Sequence, residues 1–217
     1  MSAHPLAGML AHAARGSYPP FDGRVEVLPS PGPPVDALVA FTGHFVLAAD
    51  VDARAVATRM PPGELRVPFS PAGLMWLAER LRLEPLTHDA LLVSIADGSG
   101  APPWLHRDDA FAHPRVDEAA HFRTVESVWT DDIGSLLIIG RGLCGRTEVG
   151  YEVAPGERGR GLGRRLVAAA RGLVPSGEPL WAQVAPGNAA SMRSTLAAGF
   201  VPVGAEVLFA PGSELPY

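Results

Sequence analysis

Glycines and arginines are concentrated in the segment from Val153 to Arg164, and their types suit the binding of a phosphate group. The residues concerned are Gly156, Gly159, Gly161, Gly163, Arg158, Arg160 and Arg164. Glycines let an anion approach the backbone closely, and the N-terminus of a helix presents unpaired N–H groups with a partial positive charge. Since a strand-like stretch precedes this segment and a helical one follows it, we predict a phosphate-binding loop. The alternative is a glycine-rich turn that is merely sharp.

Two common nucleotide-binding patterns do not fit this loop. A dinucleotide-binding loop needs a third glycine, but Arg164 follows the pair Gly159 and Gly161, and Leu166 follows the pair Gly161 and Gly163. The sequence contains no lysine, so the lysine-dependent phosphate loop and Schiff-base chemistry are also excluded. The phosphate ligand is therefore of another kind.

The elements that must hold this loop are indicated by the hydrophobic pattern. An alternating strand is predicted from Glu148 to Val153 and a helix from Gly161 to Leu173, followed by a strand over Leu180 to Val184. A last helix runs from about Asn188 to Ala198, with Gly199 as its natural stop. One or two short strands over Val201 to Phe209 complete this part of the chain.

Further elements are predicted before the loop. The first 34 residues are rich in proline and are interpreted as an arm, with residues 97–103 as an exposed connector. Ser70 and Pro71 form a strong helix start, with Ser as N-cap and Pro at the first helical position. The other expected elements are two strands within Val35–Ala49, a short helix over Asp52–Met60, and strands at Leu91–Ala96, Phe122–Trp129 and Ser135–Ile139.

The loop and the elements after it resemble the GNAT superfamily of N-acetyltransferases. Residues Arg158 to Gly163 match that family's signature of Gln or Arg, two residues, Gly, one residue, then Gly or Ala. The strand Leu180–Val184, then Asn188, and then Gly199 with Phe200 are similar to the family's next strand, asparagine and Gly-Phe ending. The resemblance covers about Phe122 to Phe209.

The resemblance implies an α/β fold in which a mixed, mostly antiparallel sheet is flanked by helices. It implies a GNAT-like acyl-CoA-binding domain over residues 113–217, preceded by an additional α/β region over residues 1–112. The role of this first region is open: it could bind the acceptor, be a degenerate second copy of the same fold, or form an interface in a homodimer.

The resemblance also implies acetyl-CoA, or a related acyl-CoA, as co-substrate and an amine as acceptor. In the family two parallel strands splay apart and hold the pantetheine arm, so backbone groups at Val153 and Ala154 would bind it. The pyrophosphate would lie on the loop residues Arg158, Gly159, Arg160, Gly161, Leu162, Gly163 and Arg164. Asn188 would contact the cofactor, although Asn is also among the best N-caps.

Direct transfer to an amine needs a proton acceptor, and the departing thiolate needs a proton. Many relatives carry a glutamate where Glu148 stands, and Glu152 shares its strand face; both could instead be solvated. Many relatives also carry a tyrosine where this sequence has Thr195, with Ser194 beside it. An aliphatic hydroxyl is a far weaker acid than a phenol, so water or the substrate could supply the proton. Tyr151 points to the opposite strand face and is interpreted as core.

Other candidate residues have weaker patterns. The seven histidines are dispersed without the paired spacing of metal ligands, so we predict no metal site. His113, His121 and the pair Asp131–Asp132 could line an acceptor pocket, although an exposed turn explains the aspartates equally well. Cys144 lies beside Gly145 in an expected hairpin turn and is interpreted as structural or incidental.

The charge and hydropathy of the chain limit which partners are expected. The net charge is −5 at pH 7 and the arginines form no broad face, so nucleic acid is not expected as a partner. No stretch approaches the roughly 20 apolar residues of a membrane span, and we expect a cytoplasmic protein without a membrane partner. Two functions compete with acyl transfer: a non-catalytic acyl-CoA-binding or regulatory module, and a nucleotide-binding domain.

Overall fold

The computed structural model describes residues 3–212, which fall into two compact units. Within the described residues, the first unit consists of residues 3–90 and 203–212, and the second is Leu91–Pro202. Both units contain helices and strands, and most of the strand pairs are antiparallel. The predicted α/β class, with a mixed and mostly antiparallel sheet flanked by helices, is confirmed.

The first unit has the strand order β1-β3-β2-β10. Here β1 and β3 are parallel, whereas β2 is antiparallel to both β3 and β10. The elements are α1 (Pro5–Ala13), β1 (Val25–Leu28), β2 (Asp36–Phe41), β3 (His44–Ala48), α2 (Ala53–Arg59), α3 (Pro71–Leu81), β4 (Glu84–Ile95) and β10 (Val201–Ala210).

Most predicted elements of the first unit are present. The two strands within Val35–Ala49 are β2 and β3, and the helix over Asp52–Met60 is α2. Ser70 caps α3 as expected, because its side chain accepts a hydrogen bond from the Gly73 amide at 3.0 Å. The unit's core includes Leu38, Phe45, Leu47, Met60, Leu77 and Phe209.

The interpretation of residues 1–34 as an arm was wrong. Helix α1 lies there, with His4 as N-cap and Pro5 in its first turn. Its residues Leu6, Leu10 and Ala13 recur at helical spacing and are fully buried. Strand β1 then adds a parallel edge to β3. The prolines lie at the start of α1 or between these packed elements, and they do not prevent the elements from forming.

The second unit contains the strand order β9-β8-β7-β6-β5. Neighbouring strands are antiparallel except β8 and β9, which are parallel. The elements are β5 (His106–Arg107), α4 (Pro114–Phe122), β6 (Thr124–Thr130), β7 (Leu136–Arg141), β8 (Thr147–Glu152), α5 (Leu162–Leu173), β9 (Pro179–Val184) and α6 (Ala189–Ala197). The predicted helices after the loop and the strands around them are therefore confirmed.

Helix α4 was not predicted from the sequence. Pro114 occupies its first turn, as Pro71 does in α3, but its N-cap residue is His113, which is not one of the preferred N-cap types. Its Ala119 packs on Leu136 and Ile138 of β7, together with Val116 and Phe111. Helix α4 thereby covers the sheet face to which Glu148 belongs, because Ile138 lies beside Gly150 on that face.

The sequence also predicts that an acyl-CoA-binding domain begins at residue 113. This boundary stays a prediction, because compactness does not identify which residues bind a ligand.

Over residues 3–212, none of the helices has both the length and the apolar character needed to cross a bilayer.

Candidate functional site

Strands β8 and β9 are parallel but pair over a very short length. The register joins Thr147 to Leu180 and Glu148 to Trp181, and among the described residues it extends no further. Both strands nevertheless continue, β8 to Glu152 and β9 to Val184. Beyond the paired ends, the facing backbone groups are therefore open to another hydrogen-bonding partner.

The loop after β8 begins with a fixed backbone. The Ala154 amide donates a hydrogen bond to Ser135 Oγ at 3.1 Å, and a single 3₁₀ turn, Pro155–Glu157, comes next. Gly159 and Gly161 then adopt left-handed conformations, with φ of 78° and 83°, which glycine tolerates without strain. Two glycines are thus required by the turn itself.

The start of α5 has no side-chain cap, since Gly161 is its N-cap residue. In the described part of the chain, the amides from Arg158 to Arg164 donate no hydrogen bond to a protein acceptor. Unpaired N–H groups at a helix N-terminus attract anions through their partial positive charge. The predicted phosphate-binding loop therefore has the required donors, although its role in binding stays a prediction.

The loop arginines are exposed and loosely paired. Arg158 lies 3.6 Å from Glu152, and Arg160 lies 3.2 Å from both carboxylate oxygens of Glu157. The side chains of Arg158 and Arg160 are 64% and 69% exposed, so these pairs are held weakly. Either arginine can exchange its glutamate for a ligand phosphate at little cost.

Replacing Glu157 with Gln is expected to tighten acetyl-CoA binding by about two- to fivefold. The substitution releases Arg160 from its glutamate partner and removes a negative charge beside the loop. Titration calorimetry at low ionic strength measures the change, and the gain should shrink with added salt. A weaker or unchanged affinity would show that Arg160 does not face the ligand.

Close packing explains Gly163 in the first turn of α5. A Cβ added there would lie 3.3 Å from Tyr151 Cε2 and 3.3 Å from Ser194 Oγ, which is tighter than most side-chain contacts. The absence of a side chain lets α5 approach both β8 and α6. Leu162 and Gly163 are buried, so they could serve a ligand only through their backbone amides.

Glu148 is buried rather than solvated, with 3% of its surface exposed. Its Oε1 accepts a hydrogen bond from Arg146 Nε at 2.6 Å, and its Oε2 lies 3.3 Å from Arg123 Nε. Burial by itself would raise the pKa of Glu148, but the two guanidinium groups outweigh it and hold that pKa below its ordinary value. Glu148 is therefore ionised at neutral pH and accepts a proton only weakly, and its role as a base stays a prediction.

The hydroxyl groups on α6 have contrasting surroundings. Thr195 is fully buried, and its Oγ1 has no hydrogen-bond partner among the described residues. Ser194 faces the start of α5. Tyr151, which the sequence places in the core, is only partly buried: its hydroxyl lies 3.0 Å from Ser191 Oγ. The phenol of Tyr151 thus reaches α6 from β8.

Asn188 caps α6, because its Oδ1 accepts a hydrogen bond from the Ser191 amide at 3.0 Å. This confirms the capping role, while a contact to the cofactor stays a prediction. The side-chain amide nitrogen has no part in the cap and remains available as a donor to a ligand.

Replacing Asn188 with Asp separates these two roles, since Asp is an equally good N-cap but offers no side-chain donor. We expect the melting temperature to change little and the acetyl-CoA dissociation constant to rise about tenfold. Thermal unfolding and calorimetry measure the two effects. Asn188→Ala should instead lose about 1 kcal/mol of stability. Unchanged affinity in Asn188→Asp would leave capping as the whole role of this residue.

The remaining candidates have local structural roles. His113 Nδ1 accepts a hydrogen bond from the Arg115 amide and so caps α4. Asp131 Oδ1 accepts from the amides of Ile133 and Ser135, which organises the turn before β7. Within residues 3–212, no three His, Cys, Asp or Glu side chains are grouped as metal ligands would be.

The basic residues around Glu148 were missed in the sequence. Arg146 precedes β8, and Arg123 comes directly after α4, so they belong to different parts of the chain. Two glycines are a partial signal: a Cβ at Gly140 would press on the Arg123 side chain, and one at Gly142 would overlap Glu148. A Cβ at Gly142 would collide with the Glu148 carboxylate, so this glycine is needed for the buried pair.

No protein-family model matches this chain, and neither does any curated protein. Three solved structures are similar to it at 14–23% identity: acetyltransferases of the GNAT family from Colwellia psychrerythraea and Novosphingobium aromaticivorans, and a GCN5-related N-acetyltransferase from Kribbella flavida. The TM-scores are 0.37, 0.37 and 0.41, over 64%, 58% and 66% of this chain. The matches span 62–65% of those proteins, just under two thirds of their length.

Proposed function

We propose that the second unit binds acetyl-CoA or a related acyl-CoA and transfers its acyl group to an amine. The observation that supports this most directly is the opening between β8 and β9, with the loop of unpaired amides directly after β8. An extended chain rich in amide groups can pair with the free backbone of such strands, as a peptide pairs with a sheet edge. Pantetheine joined to a pyrophosphate has this combination of groups.

The pyrophosphate and the pantetheine of the ligand would bind to different residues. The pyrophosphate would accept hydrogen bonds from the loop amides and pair with the exposed side chains of Arg158, Arg160 and Arg164. The pantetheine amides would pair with backbone groups near Val153 and Ala154. The reacting thioester would then lie further back along β8, toward the closed end of the opening.

The reaction would be a direct transfer within a ternary complex. The neutral amine attacks the thioester carbonyl carbon, the C–S bond breaks, and the proton lost by the amine balances the one gained by the thiolate. Glu148 would accept the amine proton, directly or through water. Ser194 or Thr195 would supply a proton to the thiolate from its hydroxyl group, and water is the other proton source.

A second candidate is an acyl-CoA-binding module without catalysis. The observation that favours it is that the candidate catalytic groups are enclosed: Glu148 is paired with two arginines, and the Thr195 side chain is fully buried. Such a module would bind acyl-CoA through the same loop and opening. The two functions therefore differ in turnover rather than in binding.

The test has two stages. Calorimetric titration with acetyl-CoA, with ATP and NAD as controls, should show micromolar affinity for acetyl-CoA alone. Release of free CoA is then measured with a panel of small amines, peptides and amino acids. Turnover with any amine supports the enzyme, while binding without turnover favours the module. No binding of CoA thioesters by the folded protein would contradict both functions.

A further inference from the structure

Arg123 is a buried cation with unused hydrogen-bonding capacity. Its side chain is 13% exposed, and its Nε faces Glu148 Oε2 at 3.3 Å. Its Nη1 is buried and has no hydrogen-bond acceptor within the described residues. Because leaving a charged donor unsatisfied is costly, this N–H group is suited to an acceptor supplied by a ligand.

The unused donor lies over a specific position of β8. Arg123 Nη1 is 3.7 Å from the point that a Cβ on Gly150 would occupy. Gly150 is two residues beyond Glu148, the last residue of β8 that pairs with β9, and shares its strand face. Arg123 therefore reaches the strand at the closed end of the opening, while the phosphate-binding loop lies beyond the strand's other end.

We infer that Arg123 donates a hydrogen bond to the carbonyl oxygen of the acyl-CoA thioester, bound against Gly150. The inference rests on the proposed function and adds a catalytic residue to it. As the amine attacks, the carbonyl oxygen becomes an oxyanion; when the C–S bond breaks, that oxygen returns to a carbonyl in the amide product. A fixed guanidinium in a buried site stabilises the negative charge at the moment it forms.

A purely structural role for Arg123 would consist of holding Glu148. Gly150→Ala distinguishes the two roles, because its new methyl group would meet Arg123 Nη1, Ile138 Cβ and Ile138 Cδ1 only at ordinary contact distances of 3.7–4.0 Å. The Gly150 backbone is not left-handed, so alanine fits it. We expect unchanged or higher thermal stability but a fall in kcat of at least about tenfold, because the methyl group fills the carbonyl position.

The binding test compares acetyl-CoA with S-ethyl-CoA, a thioether that has the same chain length but lacks the carbonyl oxygen. The wild type should bind acetyl-CoA about tenfold more tightly, the effect of one hydrogen bond to a charged donor. Arg123→Met keeps much of the aliphatic stem and should bind both ligands alike, with kcat about 100-fold lower. Arg115→Met, at a residue of α4 that pairs with Glu118, is the matched control and should behave as wild type.

The outcomes separate this inference from the proposed function. Three results would each overturn the role of Arg123. The first is equal binding of the two ligands by the wild type, and the second is a preference for acetyl-CoA over S-ethyl-CoA that is retained in Arg123→Met. The third is full activity in Gly150→Ala. If Arg123→Met does not fold, the preference of the wild type for acetyl-CoA and the kcat of Gly150→Ala still test the role of Arg123. If the wild type binds neither ligand, the proposed function itself fails, and the role of Arg123 fails with it.

Discussion

Replacing Glu148 with Gln is expected to lower the free energy of unfolding by about 3 kcal/mol or more at pH 7. Glutamine has almost the same shape, but it removes the negative charge that faces Arg146 and Arg123 in a buried site. Removing one member of a buried ion pair leaves the remaining charge without its compensation, which is why the loss is large. Urea unfolding followed by circular dichroism measures it.

The loss of stability in Glu148→Gln should become smaller as the pH falls. The folded-state pKa of Glu148 lies below its ordinary value of 4.5, so its ionised form stabilises the fold above that value. As the pH falls below 4.5 and through the lower folded-state pKa, the wild-type carboxylate is protonated and this contribution disappears. The difference between wild type and Glu148→Gln should therefore be constant near neutral pH and shrink in acid.

Glu152→Gln is the matched control for this experiment. Glu152 lies on the same face of β8, but its side chain is 37% exposed and its nearest cation, in Arg158, is 3.6 Å away. Glu152→Gln should lower the free energy of unfolding by no more than about 1 kcal/mol. Equal stability of Glu148→Gln and wild type, or a difference that does not change with pH, would contradict the account of a buried, ionised Glu148.

Reversing two of the three loop charges, with Arg158→Glu and Arg160→Glu together, is expected to weaken acetyl-CoA binding at least about 100-fold. Each substitution removes a charged donor to the pyrophosphate and adds a charge that repels it. The fold should be preserved, because both side chains are exposed. Calorimetry at two salt concentrations measures the effect, and the variant's affinity should lack the wild type's decrease with rising salt.

Arg66→Glu provides the control for net charge, since Arg66 is an exposed residue of the first unit. One such substitution changes the charge of the whole chain by the same amount as either loop substitution, and we expect its acetyl-CoA affinity to be unchanged. If the double loop variant binds acetyl-CoA as the wild type does, the pyrophosphate does not lie on this loop. The proposed function would then lose its principal support.

Local signals in the sequence were sufficient for most of the secondary structure. Ser70 with Pro71 identified α3, and the glycines before Leu162 identified the start of α5, because caps and left-handed turns depend on adjacent residues. Helix α4 has a proline in its first turn but His113 as N-cap, so its start is marked less strongly in the sequence than that of α3. Helix α1 was missed because its nearby prolines suggested an arm, whereas the burial of Leu6 and Leu10 depends on the rest of its unit.

By itself, the sequence determined the loop with its glycines and arginines, the strand and helix on either side, and the resemblance that predicts acyl-CoA binding. These features depend on residues that are neighbours in the chain. Only the tertiary structure decided that β8 and β9 pair over two residues, that Arg123 and Arg146 hold Glu148 in a buried site, and that the Arg123 donor lies over Gly150. Burial and pairing join residues from separate elements, so the charge environment of Glu148 arises only when the sheet and α4 pack together.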